Sequence, residues 1–153
     1  MHYIFVVNDI KNSKMSLTSE EIVRTLFEKK YWLFNGKYPI LHRVKKLRKE
    51  DKILLYMAGI NRKCIYASFT IAGEGSYIND IDGLDEFYKL FTSALPIKDI
   101  KVFTKPVLIS ELIYQLDFIN NKTYWGLFFR QSIKTISEKD YNTINDEAQK
   151  KEQ

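Results

Sequence analysis

Lys52-Ile53-Leu54-Leu55-Tyr56-Met57-Ala58 is followed by Gly59-Ile60-Asn61-Arg62-Lys63 and then by Cys64-Ile65-Tyr66-Ala67-Ser68-Phe69-Thr70-Ile71-Ala72. The outer runs are rich in β-branched and aromatic residues and read as two strands. The Gly-containing segment between them reads as a hairpin turn, although it lacks an Asn-Gly pair. In the second run Ile65, Ala67, Phe69 and Ile71 alternate with more polar residues, as expected of a half-buried sheet. Gly73-Glu74-Gly75 ends it.

Working outward from this hairpin, Tyr3–Asn8 is a short apolar strand and Asp9–Leu17 a polar loop. Thr18, with Glu21 three residues on, has the spacing of a capping box. Ile22, Val23, Leu26 and Phe27 recur at helical spacing, so the pattern predicts a helix over Glu20–Lys30. Tyr31–Phe34 reads as a strand stopped by Asn35-Gly36 and Pro39, and Arg43–Lys49 as a basic turn or short helix. Downstream, Leu84, Phe87, Tyr88 and Phe91 have the spacing of an amphipathic helix. Asp99–Phe103 and Pro106–Ile109 read as strands, and Ser110 as the cap of a short helix to Leu116. Ser137 is placed to cap a last helix through about Ala148, with a frayed polar tail after it. About six short strands with short helices around them predict an α+β domain built on a small, curved, barrel-like sheet. The expected organisation is one domain over 1–145, with 146–153 a polar tail or the start of a linker.

The 153 residues suit a single domain with its own core. With 45% hydrophobic and 28% charged residues, global disorder is excluded. The single cysteine, Cys64, excludes an internal disulfide and a cysteine-based metal cluster. No apolar run is long enough to span a bilayer and the first residues do not resemble a signal peptide, so a cytoplasmic protein without a membrane partner is expected. Net charge is only +5, but it is unevenly spread: Lys37–Lys52 holds seven bases against two acids, and Asn79–Tyr88 four acids and no base. This distribution fits a phosphate-binding face or a solvated basic loop.

Catalytic constellations are scarce. No zinc-protease, P-loop, nucleophile-elbow or dinucleotide motif is present. Cys64 opens an apolar strand and reads as an inert core thiol. The acidic run Asp80–Asp85 lacks the register of a calcium loop. Only His42, Asp51 and Asp9 stand near the basic region as titratable candidates, so no catalytic residue, metal or cofactor is expected. The aromatics offer more. There are 10 Tyr, 10 Phe and 2 Trp. Trp32 and Trp125 lie beside basic segments, where an indole stacks on a nucleobase or anchors a core.

Several ordered pieces resemble the EVE family of the PUA-like superfamily, relatives of the YTH methyl-base readers. Tyr3–Asn8 is similar to the family's opening strand. Tyr31-Trp32, then Arg43-Val44-Lys45-Lys46-Leu47-Arg48-Lys49-Glu50-Asp51-Lys52, is similar to its tryptophan and basic turn. Leu116-Asp117-Phe118-Ile119-Asn120-Asn121-Lys122-Thr123-Tyr124-Trp125 resembles its "L-x-F-I-x-N-K-x-x-W", and Phe128–Tyr141 its closing segment. Glu50-Asp51 replaces the usual Gly-Asp.

The resemblance implies a non-catalytic nucleic-acid-binding module that flips a base, expected to be a modified one, into an aromatic cage. Trp32 is the expected wall, with Tyr56 and Trp125 as second walls. Asn8 is the expected reader of the base edge, since an amide both donates and accepts. Lys37, Arg43, Lys45, Lys46 and Arg48 are the expected phosphate ligands, and Arg130 serves the pocket or the backbone. DNA is the favoured partner and RNA the alternative. The family also implies use as the N-terminal specificity domain of an McrBC-type restriction system, fused to or working with an AAA+ GTPase and a nuclease.

Overall fold

The computed structural model describes residues 1–11, 16–34, 42–59 and 61–152. Lys37, Ile60 of the hairpin turn, and the stop expected at Asn35-Gly36 and Pro39 lie outside them. At the centre of the sheet, β1 (His2–Val7) runs parallel to β5 (Lys52–Met57), from His2 opposite Lys52 to Val7 opposite Met57. The crossover between these parallel strands contains α1 (Ser19–Lys29) and β4 (Tyr31–Phe34). The hairpin partner of β5 is β6 (Cys64–Ile71), and β8 (Ser93–Leu108) lies on its other side. With β9 (Ile133–Ile136) the sheet order is β4-β8-β6-β5-β1-β9, and β7 (Ser76–Tyr77) also pairs with β8. The long β8 curls this sheet into a half-barrel. Its first residues pair with β4 and β7, and from Ile97 onward it pairs with β6.

Both faces of the central strands are covered, which explains their unbroken apolar sequence. Tyr3, Phe5, Val7, Ile53, Leu55 and Met57 point into one core, with α1, Trp32 and Phe69. Ile4, Val6, Leu54 and Tyr56 point into the other, with Phe129, Ile144 and Ala148. The side chains of β6 do not keep one face, as simple alternation predicts. The register slips by one residue between Leu55 and Tyr56. The bulge sends Ile65 into the second core, while Ala67, Phe69 and Ile71 stay in the first.

Several local expectations change. Residues 9–17 are not all loop, since β2 (Ile10–Lys11) pairs with β3 (Ser16–Leu17). The Leu84–Phe91 helix is only a 3₁₀ turn at Asp85–Phe87. Leu84 and Phe87 remain buried because a three-residue spacing aligns them in a tight turn as well. The amide of Thr92 already bonds Phe34 on β4, leaving too little chain for an α-helix. The two strands expected over 99–109 fuse into β8. Its register jumps between Val102 and Val107, which takes Pro106 out of the ladder, where its missing N–H has no partner to lose. Ser110 caps nothing: it sits inside the 3₁₀ turn Ile109–Glu111.

The helix caps do form. Thr18 Oγ1 accepts from the Glu21 amide at 3.2 Å, and Ser137 Oγ from that of Asp140 at 3.1 Å. The last helix, α2 (Glu138–Lys151), runs beyond the expected end. Lys151 pairs with Glu111 at 3.4 Å, and the Glu152 carboxylate accepts from the Thr104 amide at 3.0 Å. Residues 149–151 are therefore helical rather than frayed.

Candidate nucleic-acid interface

β1 ends where its hydrogen-bonding neighbours diverge. The Val6 amide donates to the Ser132 carbonyl, and the Ala58 amide to that of Val7. The next residue, Asn8, leaves the ladder with its side chain exposed. Asp9 is then pinned. One of its carboxylate oxygens accepts from the Ser19 amide at 2.7 Å, from Ser19 Oγ at 3.0 Å and from Arg62 at 2.9 Å. The Ser19 amide, and then its hydroxyl, hold the Asp9 carboxyl below the ordinary carboxylate range, and Arg62 adds to this. Arg62 also grips Glu20 at 2.7 Å and 2.9 Å. This network ties the hairpin turn to the start of α1 and fixes the backbone on both sides of Asn8.

A cavity of about 120 Å³ opens beside Asn8. Trp32, Leu33 and Phe34 of β4, Ile22 and Leu26 of α1, Phe91 and Ser132 complete its wall. Three successive residues of β4 therefore reach it, so the cavity sits at the edge of the strand rather than over one face. Trp32 is not an open plate at the mouth. It is 4% exposed and stacks on Phe69, with centroids 5.7 Å apart and planes at 29°. Phe5 and Phe27 each approach it to 6.4 Å. The indole is a core anchor that also lines a cavity.

The two other expected walls are elsewhere. Tyr56 is 2% exposed and stacks on Phe129 at 3.9 Å in the second core, where burial pushes its hydroxyl pKa up to about 12. Trp125 also packs on Phe129, edge to face at 6.1 Å, with the Lys63 ammonium 5.9 Å from its ring. Neither lines the cavity of Trp32. One residue step along β5 reverses the face, and sequence spacing gives no sign of which aromatic faces inward.

The basic turn divides. Arg43 donates to Gln131 Oε1 at 2.8 Å and to the Ile133 carbonyl at 3.2 Å, on either side of Ser132, without itself lining the cavity. Arg48 folds back onto the carbonyls of Lys45 and Leu47. Lys45, Lys46 and Arg130 are exposed. Asp51 is structural: buried at 5% exposure, it accepts from the Arg48 amide at 2.9 Å and meets the N-terminal ammonium at 3.2 Å. His42 is exposed. Cys64 is buried, and burial raises its thiol pKa.

The 116–125 motif is scaffold. Asp140, 1% exposed, accepts from the amides of Asp117 and Phe118, both at 2.9 Å. Lys122 donates to the carbonyls of Ile113 and Leu116, and Asn121 Oδ1 accepts from the amides of Thr123 and Tyr124. Sequence reasoning missed Phe34, Phe91 and Ser132. Phe34 was accessible through its alternation with Trp32, whereas Phe91 and Ser132 carry no local signal.

Among the described residues, no helix is long and apolar enough to cross a membrane. The sequence profile of the EVE domain matches residues 28–147. No curated protein matches the chain. Among solved structures it is similar to human THYN1 protein in complex with 5-methylcytosine-containing DNA: 12% identity, 96% of each chain covered, TM-score 0.67. It is also similar to protein Atu2648 of Agrobacterium tumefaciens: 14% identity, 96% of this chain and 92% of that one, TM-score 0.61. The N-terminal domain of Staphylothermus marinus McrB is a further neighbour: 13% identity, 95% and 93% covered, TM-score 0.55. At these identities the likeness establishes a shared curled-sheet fold.

Proposed function

This chain belongs to the EVE domain family, and from that we propose that it binds nucleic acid by seating one flipped, modified base in the cavity beside Asn8. The observation that carries the proposal is the meeting of Asn8, Trp32 and Ser132 around one hollow, with Arg43 bonded to the residues on either side of Ser132. A cavity of about 150 Å³ holds benzene. A hollow of about 120 Å³ is smaller than that, so it can enclose only part of a single ring and favours a pyrimidine over a purine, with the rest of the base left at the open mouth beside Asn8. The 5-methylcytosine DNA on human THYN1 supports that substrate class.

Flipping costs a few kcal/mol. Trp32, Phe34 and Phe91 offset part of this with an apolar lining, and a buried methyl adds about 0.8 kcal/mol. Asn8, on a backbone fixed by Asp9 and Val7, presents an amide to the base edge. Arg43, with Lys45, Lys46 and Arg130, holds phosphates. The likeness to the McrB N-terminal domain supports a place as the specificity module of a modification-dependent restriction system, beside an AAA+ GTPase and a nuclease.

The test is fluorescence anisotropy on methylcytosine duplex, unmodified duplex and matched RNA at one salt concentration. The expected order puts methylated DNA first. Asn8→Ala is expected to weaken that complex about five- to tenfold, the effect of one hydrogen bond, with no change in melting temperature. Equal affinity of wild type for the two duplexes defeats the modified-base reading. Tighter binding of the RNA points to an RNA-binding member instead.

A further inference from the structure

Resting on the nucleic-acid reading above, we propose that the bound strand continues across the basic turn into a second site. This is a cleft of about 470 Å³ between residues 44–48 and 74–80, and it takes a flanking nucleotide, cytosine in preference to thymine. Tyr77 borders the cleft and is 73% exposed. A ring so open contributes little to the core and offers a stacking face. Lys45 and Arg48 line the same cleft, and so do Glu74 and Asp80. Among the described residues no ion pair joins these cations to these acids. Lys45 is thus placed for a phosphate, while the Arg48 guanidinium is turned onto the carbonyls of Lys45 and Leu47 and adds its charge to the cleft. The carboxylates are placed to accept from the N4 amine of cytosine, where thymine presents an acceptor, O4.

The sheet links the two sites. Phe34 on β4 pairs with Ser93 on β8, and Ser93 pairs with Tyr77 on β7. Phe34 lines the cavity, and Ser93 and Tyr77 line the cleft. These three residues form one row across two ladder spacings, about 10 Å in all. A stacked strand advances about 3.4 Å per nucleotide, so about three nucleotides bridge the sites. Arg43 is bonded to the neighbours of Ser132, and Lys45, two residues later, lines the cleft, giving the backbone cations along the way.

The experiment measures binding of the full chain to fluorescent single-stranded hexamers of deoxycytidine and of deoxythymidine, alongside the methylcytosine duplex. Wild type is expected to prefer the cytidine hexamer. Tyr77→Ala should weaken both hexamers about tenfold, the lower part of the range for losing one stacked base, without altering thermal stability. The double variant E74Q/D80N should bring the ratio of the two affinities toward one, since side-chain amides can donate to thymine O4. The cleft is refuted if Tyr77→Ala binds the hexamers as wild type does while Asn8→Ala still weakens the duplex complex. Preference unchanged in E74Q/D80N refutes amine recognition. If wild type binds none of the probes, the nucleic-acid reading itself fails. If Tyr77→Ala weakens binding while Asn8→Ala does not, the cleft stands and the base cavity falls.

Discussion

Replacing Trp32 by alanine separates a core indole from an open recognition plate. Trp32 is 4% exposed and contacts three phenylalanine rings, at 5.7 Å, 6.4 Å and 6.4 Å. A buried tryptophan removes roughly 150–250 Å² from water. At about 25 cal/mol per Å² that is roughly 4–6 kcal/mol, and core Trp→Ala changes cost about 3–5 kcal/mol. For a domain of this size 1 kcal/mol moves the melting temperature by about 2–4 °C. Trp32→Ala is therefore expected to melt about 6–20 °C lower in a thermal scan followed by circular dichroism. Trp32→Phe keeps a ring against Phe69 and should lose distinctly less. A shift for the alanine variant below about 2 °C, the effect of less than 1 kcal/mol, would refute the assignment of Trp32 to the core. It would return the indole to the role of an exposed stacking plate.

Other outcomes follow from particular contacts. Lys45→Ala with Lys46→Ala should weaken all duplexes alike and flatten the log–log salt slope by about 2, at about 0.9 per lost phosphate contact; titrations at several salt concentrations measure this. Asp140→Ala strands the amides of Asp117 and Phe118, and at about 1–3 kcal/mol for each unsatisfied group should cost roughly 2–6 kcal/mol in urea unfolding. Tyr56, whose hydroxyl pKa is pushed up to about 12 by burial, stays neutral in the folded protein when the unfolded chain already ionises near pH 10. A folded pKa above the unfolded one gives stability that is whole below pH 10 and is lost as pH rises from about 10 toward 12. Tyr56→Phe should flatten that alkaline decline in denaturant titrations.

The elements legible in the sequence are those specified by near neighbours. Thr18 and Ser137 sit one residue before their helices and cap them. The strands around Leu54 and Phe5 announce themselves by unbroken apolar runs, and the one around Phe69 by alternation. Errors gathered where a local pattern fits two geometries: Leu84 and Phe87 suit a 3₁₀ turn as well as an α-helix, and Pro106 reads as a strand boundary unless a bulge removes it from the ladder. The candidate cavity was legible in part. Asn8 and Trp32 do share a cavity, while Tyr56 and Trp125 meet over Phe129 in the other core.

By itself, then, the sequence determined the main strands of an α+β domain, the helix caps, the basic turn and the amide at the end of the first strand, because each depends on propensities and spacings within a few residues. Only the tertiary structure decided which aromatics face the cavity and where each cation points. Those outcomes depend on register. The one-residue slip between Leu55 and Tyr56 and the curl of β8 set the face of each side chain, and both arise from pairing between strands far apart in the chain.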